Sequence, residues 1–508
     1  MSIKFEVGNI HTTINFPSHE RDNIGAILQK FLTAEVPGAK FLWAYKSGQW
    51  DGKVRLFYQG DNLTTSFKIL TGMYPTALAE IVAKGYDWEF VDCRGMQPPQ
   101  LLQYSVPLRP YQHEVLSAAF SHTAGGAGWW PRGVLHVATG GGKTELAVAM
   151  YQTYPVETVF LVHRKDLLLQ AQDRFLKYGI RAGIIGANNF KPHPGLNIMT
   201  AQTLLSVVKE DGPRLPAVAK LLFDAKQVFF DEAHIMASSQ DKGNEFVKLA
   251  EWFPNAHARW GLTATPFMRS RYDNLLLEGA TGGILANVST EWLVQNGYLT
   301  PPKVKMIRVP GKLPMTAGNY RSSNKAKAEY YRKVQDKGIT SNSWRNHRIA
   351  LELTSGPFPC LCLVKTIEQA KAIQLQVQQA TCTHVSCNKG LGFHECPSVP
   401  LLTGASSAQQ RRDMVAKLCN GTVPALLATT IFDEGVDIPE IMKVILGSGG
   451  KSQVKLLQRV GRGLRLAANK HEVIIIDFYD AHSPLLEIHS KERKKIWKGE
   501  CFEVEEIA

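Results

Sequence analysis

Two short stretches carry the residue types needed to handle a polyphosphate. Residues 134–144 read VLHVATGGGKT, an apolar run that turns through Thr139, Gly140, Gly141 and Gly142 into Lys143 and Thr144. Glycines there let backbone N–H groups curl around phosphate with no Cβ in the way, and a helix after the turn presents its positive end. The Lys143 ammonium can reach β- and γ-phosphates, and the Thr144 hydroxyl can ligate Mg2+. Val137 stands where the strict G-x-x-x-x-G-K-[ST] pattern has its first glycine. The second stretch, VFFDEAH, ends an apolar run in Asp231 and Glu232. Asp231 would hold Mg2+ through its water shell, and Glu232 would orient and deprotonate an attacking water. Either motif alone fits an ordinary glycine turn or an acidic strand end. Together, in this order, they read as a nucleotide hydrolase.

Such residues need a sheet to hold them. From Leu108 onward the apolar runs VLHVAT, TVFLVH, LNIMTAQ, QVFFDEA and RWGLTAT alternate with helix-like segments. That alternation predicts a parallel sheet covered by helices. The rhythm fades between 303 and 345 and resumes with PCLCLVKT, VPLLTG, PALLATT, KVILGS and HEVIIIDF. Residues 1–92 are short β-rich runs and turns. The expected fold is α/β, with two tandem parallel-sheet domains behind a small α+β N-terminal domain. The expected bounds are 1–95 for the N-terminal accessory domain, 96–300 for the ATP-binding domain and 301–345 for a basic linker region. The second parallel-sheet domain comes next at 346–490, and a tail at 491–508.

The 508 residues carry a net charge of +13, which favours a polyanionic partner. The charge is unevenly placed: residues 1–100 hold 10 Lys/Arg against 10 Asp/Glu, whereas 301–350 hold 12 against two, Glu329 and Asp336. That basic run reads as a solvated linker or as a nucleic-acid contact. Eight cysteines in so long a chain do not suggest a disulfide scaffold. The N-terminus alternates apolar and polar residues like a strand rather than a leader peptide. No apolar run approaches the roughly 18 residues of a membrane span. A soluble protein in a reducing compartment is the expectation.

From Leu108 to about Asp477 the sequence resembles superfamily 2 helicases. The resemblance implies two RecA-like domains, ATP and Mg2+, and a nucleic-acid track. Gln112 in LRPYQHE matches the glutamine that reads adenine. His163 and Arg164 in FLVHRK, Thr200 and Gln202 in TAQ, Lys365 in CLVKT, Thr403 in LLTGAS and Thr429 in ATT match positions that contact a strand. GLTATP, with Thr263 and Thr265, matches the motif that links hydrolysis to strand movement. Gly435 and Asp437 match residues facing the nucleotide, and QRVGRGLR supplies Gln458, Arg459, Arg462 and Arg465. A guanidinium from this last motif would stabilise charge spreading over the γ-phosphoryl oxygens. The GRGLR ending and the LRPYQ start look like DNA motors, as in XPB-like repair helicases and restriction translocases.

YKSGQWDGKVRLF, residues 45–57, is similar to a run in the first domain of UvsW-type phage recombination helicases. That resemblance implies a branched or forked DNA substrate, branch migration, fork regression and unwinding. It also implies recombination or single-strand-binding proteins as partners, and the host cytoplasm as location. Trp50, with Lys53 and Arg55 beside it, is the candidate for stacking on an unpaired base at a branch point. The insertion at 381–398 contains Cys382, Cys387, His394 and Cys396, which could give tetrahedral zinc. Their C-x4-C and H-x-C spacings are not those of standard fingers, and plain reduced thiols are the alternative. Two other functions stay open: a motor subunit of a restriction or repair complex, and a nucleotide-switched binding protein.

Overall fold

The computed structural model describes residues 2–508 apart from 59–64, 97, 100–101, 211, 237–247, 266–269, 314–323, 382–398, 430–437, 451–455, 458–459, 462 and 469. The chain divides into two compact units, the first made of Met1–Ala138 and Gly142–Val288, the second of Ser289–Ala508 together with the three-residue turn Thr139–Gly141.

The first unit opens with β1 (Ser2–Val7), β2 (His11–Asn15), α1 (Arg21–Leu32), β3 (Thr33–Glu35) and α2 (Trp43–Lys46). It continues through β4 (Lys53–Arg55), β5 (Phe57–Tyr58), β6 (Ser66–Leu70), α3 (Tyr74–Val82) and β7 (Asp87–Asp92). Five strands form a sheet in the order β5-β6-β2-β1-β7, while β3 and β4 pair separately. Strand β1 buries every second residue, Ile3, Phe5 and Val7, because successive side chains point to opposite faces. Helix α1 covers that face with Ile24, Leu28 and Leu32, spaced so that they share one stripe.

The sequence pattern separates residues 1–95 from the rest of the chain, but the packing joins them to it. Their core is continuous with Trp130, Tyr272, Leu275 and Leu276 of the next domain. A Cβ on Gly72 would lie 1.9 Å from the carbonyl oxygen of Glu278, so this loop seats directly on the helix Arg271–Thr281. Thr76 Oγ1 donates to Glu278 at 2.9 Å, and Arg271 Nη2 donates to the carbonyls of Lys30 and Phe31 at 3.1 Å. The buried Arg132 lies over the Trp130 ring and donates to the Asn9 carbonyl at 3.0 Å. The N-terminal region is therefore part of one body with the first parallel-sheet domain, not a detachable accessory.

That domain contains α4 (Pro110–Ser121), the ribbon β8 (Thr123–Ala124) and β9 (Ala127–Trp129), β10 (Arg132–Val137), α5 (Lys143–Thr153) and β11 (Thr158–Val162). Next come α6 (Lys165–Lys177), β12 (Gly183–Gly186), β13 (Asn189–Lys191), β14 (Leu196–Thr200), α7 (Ala201–Glu210) and α8 (Leu215–Asp224). It closes with β15 (Gln227–Asp231), α9 (Ala233–Met236), β16 (Ala258–Thr263), the helix Arg271–Thr281 and β17 (Ile284–Val288). The sheet order is β13-β12-β14-β11-β15-β16-β10-β17, parallel except for β13. Every residue of β11, β14 and β16 is buried, as expected of strands covered on both faces.

The second unit holds a wholly parallel sheet built from β18 (Pro302–Arg308), β19 (Cys360–Leu363), β20 (Leu401–Leu402), β21 (Ala425–Ala428), β22 (Lys443–Leu446), β23 (Val473–Tyr479) and β24 (Glu503–Ile507). The order is β20-β21-β19-β22-β23-β18-β24. This corrects two of the expected bounds. Pro302–Arg308 does not lie in a linker but is an inner strand between β23 and β24; its alternating Lys residues disguised a strand whose Val304 and Met306 are buried. Residues 491–508 are not a tail, because they finish the helix Pro484–Gly499 and supply β24. Trp497 is fully buried and donates to Asp477 Oδ2 at 3.0 Å; Arg493 donates to both oxygens of the same carboxylate at 3.0 Å. A buried charge so paired is costly to break, which fixes this helix on β23.

Candidate nucleotide and nucleic-acid sites

The glycine turn joins β10 to α5. Gly140 and Gly142 adopt φ of 87° and 82°, a region that side chains disfavour. Gly142 has a second reason to lack a side chain, since a Cβ there would lie 2.2 Å from Gln112 Nε2. Gln112 is buried; its Oε1 accepts from the Arg109 amide at 2.8 Å and closes the start of α4. The adenine-reading candidate is thus locked beside the phosphate loop. Lys143 Nζ reaches the Val137 carbonyl at 3.3 Å, a long contact that a phosphate oxygen would outcompete.

Asp231 ends β15, and Glu232 comes next in a left-handed conformation, φ 49°. Such strain at a non-glycine residue is held only by surrounding structure and recurs at functional sites. Desolvation and the Glu232 charge push the Asp231 carboxyl up to about 6, against the pull of Lys143 and His163. Glu232 Oε2 is buried with no hydrogen-bond partner; His234 Nδ1 lies 3.4 Å away. A buried carboxylate oxygen left open is where a water could be held. Thr144 and Asp231 supply the hard oxygen donors that Mg2+ prefers, so the residues fit that ion. His234 Nδ1 also lies 2.7 Å from Thr263 Oγ1, which accepts from the Thr265 amide at 3.1 Å. His136 bridges the same region from β10, its Nε2 2.9 Å from the Ala264 carbonyl. Sequence reasoning missed His136; only the adjacency of β10 and β16 reveals it.

All these groups sit where parallel strands end. Lys143 comes after β10, Asp231 ends β15 and Thr263 ends β16; His163 and Arg164 come directly after β11, and Gln202 lies just past β14. Ligand sites of parallel α/β sheets form outside these carboxyl ends. The second unit repeats the arrangement, with Lys365 after β19, Thr403 after β20 and Thr429 after β21, three adjacent strands. Arg164, Gln202 and Lys365 are exposed. Thr200 is buried, its Oγ1 accepting from the Thr203 amide at 3.2 Å and donating to Thr203 Oγ1 at 2.7 Å. Its hydroxyl starts α7 and is not presented to a strand. Thr429 is likewise buried.

Near the C-terminus the Arg465 carbonyl accepts from Thr300 Oγ1 at 3.2 Å and from the buried Lys470 Nζ at 2.9 Å. Lys470 also donates to the carbonyls of Gly463 and Pro439, so one buried cation pins the arginine-bearing segment. Nothing in the spacing signals that role. Gly435, Asp437, Gln458, Arg459 and Arg462 lie outside the described residues, as do Cys382, Cys387, His394 and Cys396. Among the described residues no group of three or more His, Cys, Asp or Glu could hold a metal ion.

Trp50 is the clearest correction. It is half-buried, and its Nε1 donates to the Lys53 carbonyl at 2.8 Å, which closes the turn. Asp51 accepts from the Lys53 amide and from Arg55 Nη2 at 2.9 Å. Among the described residues of 1–95 the exposed rings are Phe41, Trp43, Tyr45 and Tyr58. The small domain needed an aromatic core, and Phe5, Phe16, Phe67 and Tyr74 supply it instead.

Residues 105–268 match the family model described as type III restriction enzyme, res subunit, and residues 359–467 match the helicase conserved C-terminal domain. The DNA 3'-5' translocase XPB2 of Sulfurisphaera tokodaii is 24% identical over 72% of this chain and 81% of its own length. The ATP-dependent DNA helicase uvsW of Enterobacteria phage T4 is 21% identical over 89% of this chain and 86% of its own. Helicase 22 of Sulfolobus islandicus filamentous virus is 24% identical over 69% of this chain, which spans 61% of that protein. Among solved structures, the type ISP restriction-modification enzyme LlaBIII bound to DNA shares the fold with a TM-score of 0.55 at 16% identity, over 85% of this chain and 34% of that one. Two RecA-like domains carrying these motifs in this order define a superfamily 2 helicase, and the chain belongs to that superfamily. The relatives within it include DNA helicases and translocases of the UvsW and XPB types. No helix among the described residues is long and apolar enough to cross a membrane.

Proposed function

We propose that this protein couples ATP hydrolysis to movement along branched or forked DNA, driving branch migration, fork regression and unwinding. The observation that supports this most is the shared strand-end rim of the first unit. It puts Asp231 and Glu232 at the end of β15, directly beside β11, which leads into His163 and Arg164; Gln202 follows β14 on the far side of β11, and Lys143 follows β10, two strands beyond β15 in the other direction. Backbone amides of the glycine turn and Lys143 bind the phosphates, and Gln112 sits where an adenine would be read. Thr144 and Asp231 would hold Mg2+, which neutralises phosphate charge when bound. Glu232 takes the proton of the attacking water. Arg462 and Arg465 stabilise the charge that develops on the γ-phosphoryl group. His234, bonded to Thr263, passes a change at Glu232 to Thr265 and so to the strand-end rim. Such an enzyme works with the DNA in the cytoplasm, alongside recombination or single-strand-binding proteins.

ATPase rate and strand displacement on a four-way junction, a fork, plain duplex and a DNA/RNA hybrid test this reading. The junction and the fork should stimulate both activities most. Hydrolysis without displacement on every substrate would support a nucleotide-switched binder instead.

The basic segment supplies sequence-independent affinity. Lys325, Lys327, Arg332 and Lys333 are exposed on the helix Asn324–Gln335, and Lys333 lies 2.9 Å from Glu329. Replacing all four by Ala should flatten the slope of log K against log salt by about 3, at about 0.9 per phosphate for three contacts on duplex DNA. An unchanged slope would return the helix to a solvated surface.

A further inference from the structure

The exposed aromatic residues of the N-terminal region are clustered. Phe41, Leu42 and Trp43 are consecutive and 62%, 52% and 71% exposed, and Tyr45 lies two residues on at 43%. Soluble proteins rarely leave large apolar side chains contiguous at the surface without a binding role. Lys40 lies over the Phe41 ring at 5.5 Å. Lys40 and Tyr45 also line a groove of about 910 Å³ between the β3–β4 pair and the start of the helix Arg271–Thr281. Five cations face this groove, Lys30, Lys40, Lys53, Arg55 and Arg271, against the carboxylates Glu35 and Asp51. Asp51 is already engaged by Arg55 at 2.9 Å. A region that is neutral in sum is therefore locally positive.

The groove is also built rather than incidental. Arg271 belongs to the motor domain, and its Nη2 bonds to the carbonyls of Lys30 and Phe31 tie the two walls together. The Tyr45 ring is seated on Gly52, where a Cβ would lie 2.9 Å from it and where φ is 76°.

We propose that this groove and the Phe41–Trp43 ridge hold a single-stranded DNA segment, with phosphates along the groove and unpaired bases stacked on the rings. The proposal rests on the motor reading above and adds where the displaced arm of a branch is held. Cations spaced along a groove match a phosphodiester chain, and bare rings match base faces. Duplex DNA keeps its base faces inside the stack, so only an unpaired strand satisfies both. An acidic peptide would satisfy the cations but leave the rings without stacked partners.

The experiment uses the full-length protein and two DNA probes that share one duplex, blunt or with a single-stranded flap. Binding is measured without ATP across a salt series. Wild type should prefer the flap. Phe41→Ala/Trp43→Ala should reduce that preference at least fivefold, the lower end expected for one lost stacking partner. Trp43→Phe alone should keep most of it, because a ring remains. Lys30→Ala/Lys53→Ala should flatten the flap's salt slope by about 1.4, at about 0.7 per phosphate of a single strand. Circular dichroism and melting should be unchanged, as these side chains are exposed. A flap preference retained in both double variants would overturn the proposal. So would an equal loss on the blunt duplex, which would mark a general duplex surface. ATPase stimulation of the wild-type protein by DNA is measured separately, and its absence would sink the motor reading while leaving the binding comparison to decide the groove.

Discussion

Glu232→Gln is expected to bind ATP with near-native affinity and to hydrolyse it at least about 100-fold more slowly, the scale of a lost general base. The amide has the shape of the carboxylate, so the left-handed backbone at 232 and the neighbouring Asp231 are undisturbed. It cannot accept a proton from water, whereas the carboxylate has a buried oxygen with no hydrogen-bond partner, placed to do so. Lys143→Ala should differ by losing nucleotide binding itself, since it removes the cation on the phosphates. Arg462→Ala should keep binding and lose turnover by about 10³-fold or more, as arginine fingers do. Nucleotide titration with single-turnover hydrolysis separates the three. Normal hydrolysis by Arg462→Ala would remove that arginine from the reaction.

Removing residues 1–95 should unfold or aggregate the remainder rather than leave a working motor. As a sequence, this region looks like a module to be cut away with its junction specificity. In the structure its core continues into Trp130, Tyr272, Leu275 and Leu276. Exposing four such side chains at about 1.5–3 kcal/mol each forfeits roughly 6–12 kcal/mol, comparable to the whole stability of a domain. Arg132, whose Nε and Nη1 are already buried without a hydrogen-bond partner, would lose the Asn9 carbonyl as well. A milder probe is Gly72→Val, which drives a side chain into the Glu278 carbonyl; a fall in melting temperature of several degrees is expected. A truncated protein that is soluble, melts cooperatively near the full-length temperature and hydrolyses ATP would show the interface to be dispensable.

The chemistry of the nucleotide site was legible in the residues because its motifs are local. A glycine turn, a lysine and an acidic strand end must each be contiguous to work, and apolar runs of strand length announce the sheet that holds them. Gly142, Lys143, Asp231 and Glu232 could be assigned with no knowledge of their neighbours. What local pattern could not decide was which surfaces meet. Pro302–Arg308 reads as basic linker because Lys303, Lys305 and Arg308 open a strongly basic run, and only pairing with β23 and β24 makes it an inner strand. Thr200 has the right type and place for a strand contact, but its hydroxyl is spent on the first turn of α7. His136 is one more residue in an apolar run until β16 lies beside it. The N-terminal aromatics show the division most clearly. Sequence sets how many rings the small domain has, but burial is shared across the boundary with the helix Arg271–Thr281. Only the packed structure therefore decides that Phe67 and Tyr74 fill the core while Trp43 is left facing solvent.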